Sequence, residues 1–317
     1  MISENDNVKT NSFEAWVLAA RPKTLTGASV PVMIGVALAI TTAGWHDFMI
    51  LPAILCFLFA FLMQIDSNLI NDYFDCVHGN DDVQTRLGPK RACAEGWITL
   101  PVMRRGLVIV SAVACIIGLP LIWFGGWEMI IVGAVCVLFA FLYTTFFSYK
   151  GLGDLLVIVF FGIVPVYFTW YVSIPDSMQG FDANVLITGI SCGLVIDTLL
   201  LINNYRDRSN DRRDGKITLV VRLGAKWAER LYRYLPVVAQ ILIFCFLTID
   251  TSDGFVKPLI FILTALIYEF PHFKTARKLV EINHGKQLNR VLGMTARDMF
   301  IFGLVTSVQI LLMYQPM

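Results

Sequence analysis

Long apolar runs alternate with polar segments along the whole chain. Runs free of Asp, Glu, Lys and Arg occupy 24–46, 48–65, 106–127, 129–149 and 155–175; shorter ones occupy 183–196, 234–249 and 258–268, and a last one covers 299–317. About 20 apolar residues carry a helix across the hydrocarbon of a bilayer. The pattern therefore predicts an all-α membrane protein of about nine transmembrane helices, a single domain over 1–317 with a polar tail at 1–20. Pro236 and Pro258 fall at the starts of the seventh and eighth runs, where a first-turn proline is tolerated. Glu269 is expected to end the eighth run early.

The polar segments set the orientation. If the N-terminus is inside, the inside segments are 1–23, 72–105, 148–153, 203–233 and 271–298, and they hold every Lys and Arg except Lys257. The outside turns carry Asp47, Glu128, Asp176, Asp182, Asp250 and Asp253. Basic residues concentrate on the cytoplasmic side of membrane proteins, so the expected topology is N-in, C-out. Segments 72–105, 203–233 and 271–298 are long while the outside turns are short, which places function on the inside face.

Composition agrees. Hydrophobic residues make up 56% of the chain and charged residues 15%, against about 25% for a soluble domain. That excludes a soluble enzyme and a disordered chain. The net charge of +1 conceals the asymmetry between the two faces. The polar start lacks a basic region followed by an apolar one, so no cleavable signal is expected. Five of the seven Cys lie inside apolar runs and no C-x-x-C pair occurs, which argues against a disulfide framework or a zinc site.

The chemistry concentrates at two helix ends. The second span ends in Asn68, Asn71, Asp72 and Asp75, spaced so that all four share one helical stripe, with Gln64 above them. The sixth span ends in Asn203, Asn204, Asp207 and Asp211. Asn71-Asp72-Tyr73-Phe74-Asp75 is similar to Asn203-Asn204-Tyr205-Arg206-Asp207, four spans apart, which suggests a duplicated four-helix unit plus one helix. Carboxylate and amide oxygens are hard ligands suited to Mg²⁺, which keeps places for water and phosphate. Two facing clusters could clamp a diphosphate between metal ions. Solvated helix ends would explain any single Asp, but account poorly for two matched stripes. A calcium loop ending near Gly215 fails, because Arg212 takes a ligand place and Val221 replaces the closing Glu.

Basic residues interleave with both stripes: Lys23 precedes the first span, Arg86, Lys90 and Arg91 follow the first stripe, and Arg206 and Lys216 lie in the second. Lipid headgroups would attract any of them singly. Mixed with acids within one turn, they suit a metal–diphosphate complex better than a lipid patch.

These segments bear a family resemblance. Asn71 to Asp75, followed by Gly79, Asp81 and Arg86-Leu87-Gly88-Pro89-Lys90-Arg91, resembles the UbiA-type intramembrane prenyltransferases, and within them the branch acting on 1,4-dihydroxy-2-naphthoate. Arg21-Pro22-Lys23-Thr24-Leu25, Gly151-Leu152-Gly153-Asp154, and Asn203 through Asp211 to Gly215-Lys216 and Thr218-Leu219 are similar too. Departures exist. Gly79 replaces the last Asp of the wider pattern, Asp154 stands where many relatives carry Glu, and Asp66 and Asp197 are acids the pattern does not demand. An intramembrane acid is functional by default, but these two could instead pair with nearby Asn or Ser.

The resemblance implies a UbiA-like fold in a bacterial cytoplasmic membrane, with loops 72–105 and 203–233 capping a cytoplasmic active site. It implies polyprenyl diphosphate and 1,4-dihydroxy-2-naphthoate as substrates, with no nucleic acid and no obligate protein partner. Asp72 and Asp75 would bind one Mg²⁺ and Asp207 and Asp211 another, supported by Asn68, Asn71, Asn203 and Asn204. Arg86, Lys90, Arg91, Arg206, Lys216 and Lys23 would bind substrate oxygens. Tyr143 and Lys150 would stabilise the allylic cation or the diphosphate. His78 could shuttle a proton or be a solvated loop residue. Another acceptor, such as 4-hydroxybenzoate, would keep the same metal sites. A duplicated transporter would place its polar residues at the midplane instead.

Overall fold

The computed structural model describes residues 8–79, 86–247 and 256–313. Asp81, Asp82, Asp250 and Asp253 lie outside these residues, as does the side chain of Lys23. The described residues are all-helical, without strands. The long helices are α2 (Leu25–Asp47), α3 (Ile50–Val77), α4 (Leu100–Gly118), α5 (Glu128–Thr145), α6 (Gly153–Val172), α7 (Ala183–Arg213), α8 (Ala225–Leu247), α9 (Val256–Ile282) and α10 (Leu288–Met313). A short helix α1 (Phe13–Ala20) precedes them.

Eight of these helices are long and apolar enough to cross a membrane. The run at 234–249 forms the second half of α8, whose first half is rich in charge and begins at Ala225. Pro236 therefore sits inside a helix rather than at its start. Glu269 does not end the eighth run either, because α9 continues to Ile282. A single acid costs too little to stop a helix whose backbone hydrogen bonds must be satisfied internally.

Helix α1 was hidden in the polar tail. Ser12 caps it, accepting the Ala15 N–H at 3.2 Å. Ala15 and Ala19 are buried against the rest of the fold while Phe13 stays exposed, the division expected of a helix lying at an interface.

Helices α2 and α7 form the centre of the bundle. α2 packs against α10, α6 and α3, and α7 packs against α6 and α8. Helix α6 carries a π-helical stretch, Ile158–Ile163, pressed onto α7. A side-chain carbon at Gly162 would stand 2.5 Å from Gly189 O and from Gly193 Cα, so only small residues allow this approach. By contrast few residues of α4 and α5 are buried: α4 turns Val108, Ile109 and Ile116 outward, and α5 exposes Ile131 and Leu138 on one side while its other side lines a cavity. The two helices that carry the acidic stripes, α3 and α7, are 28 and 31 residues long. Both end beside the same cavity.

Candidate active site

A cavity of about 1190 Å³ runs through the bundle between α2, α3, α5 and α6. Along α3 it reaches from Asp75 to Cys56, about 28 Å at 1.5 Å per residue. That is most of the thickness of a hydrocarbon core. Its far part is lined by apolar groups such as Phe59, Met63, Gly118, Ile122, Met129 and Val172. Its other end is polar. All five basic segments of the sequence contribute there, through Arg21, Arg86, Tyr149, Asp207 and Asn289 among others.

On the first stripe, Asn68, Asn71 and Asp75 line the cavity. The Asn68 amide donates to the Ala20 carbonyl at 3.0 Å and to Thr24 Oγ1 at 2.9 Å, tying α3 to the start of α2. Asn71 Oδ1 accepts from Thr144 Oγ1 at 2.8 Å. Asp75 is paired with Arg91 at 3.0 Å.

Asp72 departs from expectation. It is fully buried, is not among the cavity-lining residues, and accepts the backbone N–H groups of Ala92 and Cys93 at 2.8 and 3.0 Å. The stripe is wide enough that adjacent positions diverge by 100° around the helix. Asp72 is thereby aimed at the loop and Asn71 at the cavity. In this arrangement Asp72 anchors the loop.

On the second stripe, Asn203, Asn204, Arg206, Asp207 and Asp211 all line the cavity. The Arg206 guanidinium grips Asp207 through Nε at 2.9 Å and Nη2 at 2.6 Å. Lys216 lies 4.0 Å from Asp211, whose Oδ2 is buried with no hydrogen-bond partner. The cavity thus gathers Asp75, Asp207 and Asp211, each beside a basic group.

The basic groups are crowded. Arg21, at a left-handed backbone turn with φ 52°, lines the cavity, and its Nη2 is buried without a partner. Burial, then the neighbouring Arg91 and Arg86 guanidiniums, push its pKa well below the usual arginine value, against Asp72 and Asp75. Burial and Arg91 likewise push Arg86 down to about 10, opposed by Asp207 and Asp75. Arg86 therefore feels acids of both stripes. Cations this close gain from any anion placed among them. Lys90 also lines the cavity. Gly79 ends α3 with φ 70°, the turn expected before this loop.

The remaining predicted residues divide. Tyr143 lines the cavity, alongside Phe139 and Phe160, which stack with centroids 4.8 Å apart. Lys150 does not; it is exposed, with Nζ 3.8 Å from the Phe146 ring centroid. The helix that carries Tyr143 breaks at Phe146, and Lys150 follows in a short 3₁₀ turn, Phe147–Lys150. His78 is exposed and bonds the Phe74 carbonyl at 2.8 Å, which closes the helix end. Asp66 accepts from Ser111 Oγ at 2.7 Å and ties α3 to α4. Asp154 lines the cavity with Oδ1 unpartnered, while Asp197 lies deeper. Arg21, Thr144 and Asn289 were not among the predicted site residues. Arg21 had a signal, an Arg-Pro pair opening a span. Thr144 and Asn289 had none, being single polar residues at element ends.

Among the described residues, no three His, Cys, Asp or Glu side chains converge as a closed metal centre. The donors present are one or two carboxylates per stripe with amides beside them, and Asp211 Oδ2 lacks a partner. Such an open, oxygen-only set fits Mg²⁺, which keeps several places for water and phosphate.

Comparison with known proteins identifies the family. The model of the UbiA prenyltransferase family matches residues 28–280. The 1,4-dihydroxy-2-naphthoate octaprenyltransferase of Escherichia coli (strain K12) is 38% identical over 232 residues, covering 70% of this chain and 72% of its own. The apo UbiA homolog from Aeropyrum pernix K1 shares the fold with a TM-score of 0.65 at 16% identity, over 89% of this chain and 97% of that one. The UbiA homolog from Archaeoglobus fulgidus bound to GPP and Mg²⁺ gives 0.60 at 13% identity, over 93% and 99%. With apolar helices enough to span a bilayer many times and a family match across most of its length, this chain is an integral membrane protein and belongs to the UbiA prenyltransferase family.

Proposed function

We propose that the protein transfers a polyprenyl group from polyprenyl diphosphate to 1,4-dihydroxy-2-naphthoate, releasing diphosphate and CO₂ and giving demethylmenaquinol. It does so in a bacterial cytoplasmic membrane, with the polar end of the cavity toward the cytoplasm. The observation that carries the reading is one cavity, apolar for most of its length, that ends where three carboxylates and crowded arginines meet. An apolar tail with a diphosphate head matches both ends at once. The naphthoate acceptor is supported by the identity to the Escherichia coli enzyme of that name.

In this reading Arg21, Arg86 and Arg91 hold the diphosphate oxygens, with Lys90 and Lys216 at the rim. Asp75 and Asn71 on one side, and Asp207, Asp211 and Asn204 on the other, would hold two Mg²⁺ ions. Bound there, Mg²⁺ supplies charge neutralisation of the leaving diphosphate. Tyr143 stands beside the carbon that becomes an allylic cation, with the stacked Phe139 and Phe160 on the same wall, and an aromatic face turned to the cation would attract it by about 0.5–2 kcal/mol. The naphthalene ring attacks through the carbon bearing the carboxylate. A C–C bond forms there, the bond to the carboxylate breaks, and CO₂ leaves. No proton needs a protein base, which accords with a cavity that among the described residues has no His in its lining.

Purified protein incubated with Mg²⁺, prenyl diphosphates of graded length and either 1,4-dihydroxy-2-naphthoate or 4-hydroxybenzoate tests the reading by product mass. Prenylated naphthol with release of CO₂ is expected. Product from 4-hydroxybenzoate alone would replace the acceptor, and failure to release diphosphate from any donor would overturn the assignment.

A further inference from the structure

The geometry points to Asn289 as a positioning residue: it latches the basic loop 86–91 onto the second acidic stripe and so holds the cavity closed. Asn289 lies in the first turn of α10, in the one long basic segment to which the sequence assigned no chemistry. Its side chain bridges two elements. Oδ1 accepts from Arg206 Nη1 at 2.8 Å, and Nδ2 donates to the Leu87 carbonyl at 2.8 Å. Arg206 is itself buried and fixed on Asp207. Loop, α7 and α10 therefore meet at one amide.

Gly88 supplies an independent observation. A side-chain carbon there would stand 2.8 Å from Arg206 Nη2. Because Arg206 is pinned by Asp207 and Asn289, a side chain at position 88 would force the loop or this guanidinium out of place. The bridging residue must accept from a cation and donate to a carbonyl together, which an amide does and a carboxylate, an ammonium or an alkyl group does not. Leu87, Arg206 and Asn289 all line the cavity. Arg86 and Arg91 flank the latched segment, so the latch fixes the reach of Arg91 to Asp75.

The consequence rests on the proposed prenyl transfer. Once the donor C–O bond breaks, diphosphate leaves with the electron pair and the allylic carbon is positive. With the loop latched, the naphthoate ring takes it. With the loop open, water adds instead, giving a prenyl alcohol and a released proton.

Three variants of the full-length protein test this. Asn289→Asp keeps the acceptor for Arg206 and loses the donor to Leu87; Asn289→Ala loses both; Gly88→Ala pushes the loop off Arg206. In Asn289→Asp the share of donor ending as prenyl alcohol should rise about three- to tenfold, as one lost hydrogen bond shifts the open population. Total diphosphate release should change far less. Asn289→Ala and Gly88→Ala should do the same, and their combination should be no worse than the stronger single change. A second readout needs no turnover. In a cysteine-free background, Leu87→Cys should react with a water-soluble maleimide about three- to tenfold faster when Asn289→Asp is added, in the presence of Mg²⁺ and inorganic pyrophosphate. Unchanged labelling in that pair, or strictly additive effects of Asn289→Ala and Gly88→Ala, overturns the latch. Faster labelling in a protein that transfers no prenyl group upholds the latch and refutes the proposed function instead.

Discussion

Replacing Arg21 should separate binding from stability, because the two respond with opposite sign. Arg21 Nη2 is buried with no partner, and its charge is crowded by Arg91 and Arg86. In the free protein, removing that charge relieves repulsion and burial cost, so Arg21→Gln should melt no lower than the parent protein. With donor bound, the same guanidinium would make a charge-assisted hydrogen bond to a diphosphate oxygen, worth about 1.5–3 kcal/mol. At 1.4 kcal/mol per tenfold, donor KM should rise by about 10- to 150-fold. The neighbouring Arg86 and Arg91 remain, which favours the lower part of that range. Acceptor KM should change little, since the naphthoate meets the donor at its allylic carbon rather than its head. The assay is initial rate against donor concentration at saturating naphthoate and Mg²⁺, with thermal unfolding of the same preparations in detergent. Arg21→Lys should recover only part of the loss, because an ammonium lacks the planar fork. A variant that unfolds several degrees earlier yet binds donor normally would show that Arg21 is a structural residue and that the diphosphate lies elsewhere.

Asp75→Asn, Asp207→Asn and Asp211→Asn should each abolish turnover, the first two with some loss of stability because the buried Arg91 and Arg206 lose a charged partner, whereas Asp72→Ala should lower stability by about 1–3 kcal/mol through the unpaired Ala92 and Cys93 N–H groups, read by thermal unfolding. Near-normal turnover in Asp207→Asn removes the second stripe from the metal site. Gly133 faces open space in the cavity, so Gly133→Leu should cut kcat/KM for long prenyl donors while sparing those whose tails end within about 15 Å of Tyr143, the rise between positions 133 and 143; equal loss for all lengths would place the tail on another path. Cysteines placed at Asp47, Gly126 and Gln179 should label from outside intact cells and those at His78, Gly215 and His284 should not; labelling of position 215 from outside reverses the proposed orientation.

The hydrophobic pattern alone determined that this chain is a helical membrane protein, because a bilayer leaves a spanning segment few choices and about 20 apolar residues announce each one. It located α2 through α7 closely. Motif spacing likewise brought Asp75, Asp207 and Asp211 to light, since a helical period fixes which residues share a stripe wherever the helix is packed. Boundaries in the second half were less legible: α8 starts well before its apolar run and α9 runs past Glu269, because helix continuity follows backbone hydrogen bonding rather than side-chain polarity.

What the tertiary structure decided was the direction each polar group faces. Asp72 and Asp75 sit one turn apart with equal claims on the sequence. Only the fold of the loop at Ala92 and Cys93 turns the first into its anchor and leaves the second facing the cavity. Lys150 was near Tyr143 in sequence, but the helix breaks at Phe146 between them and Lys150 does not line the cavity. Asn289 carried no motif, yet it joins Leu87 to Arg206 across most of the chain's length. Periodicity is a local property, read along one helix. A bridge between residues far apart in sequence exists only once the helices are packed, and there three-dimensional structure is the only source of the answer.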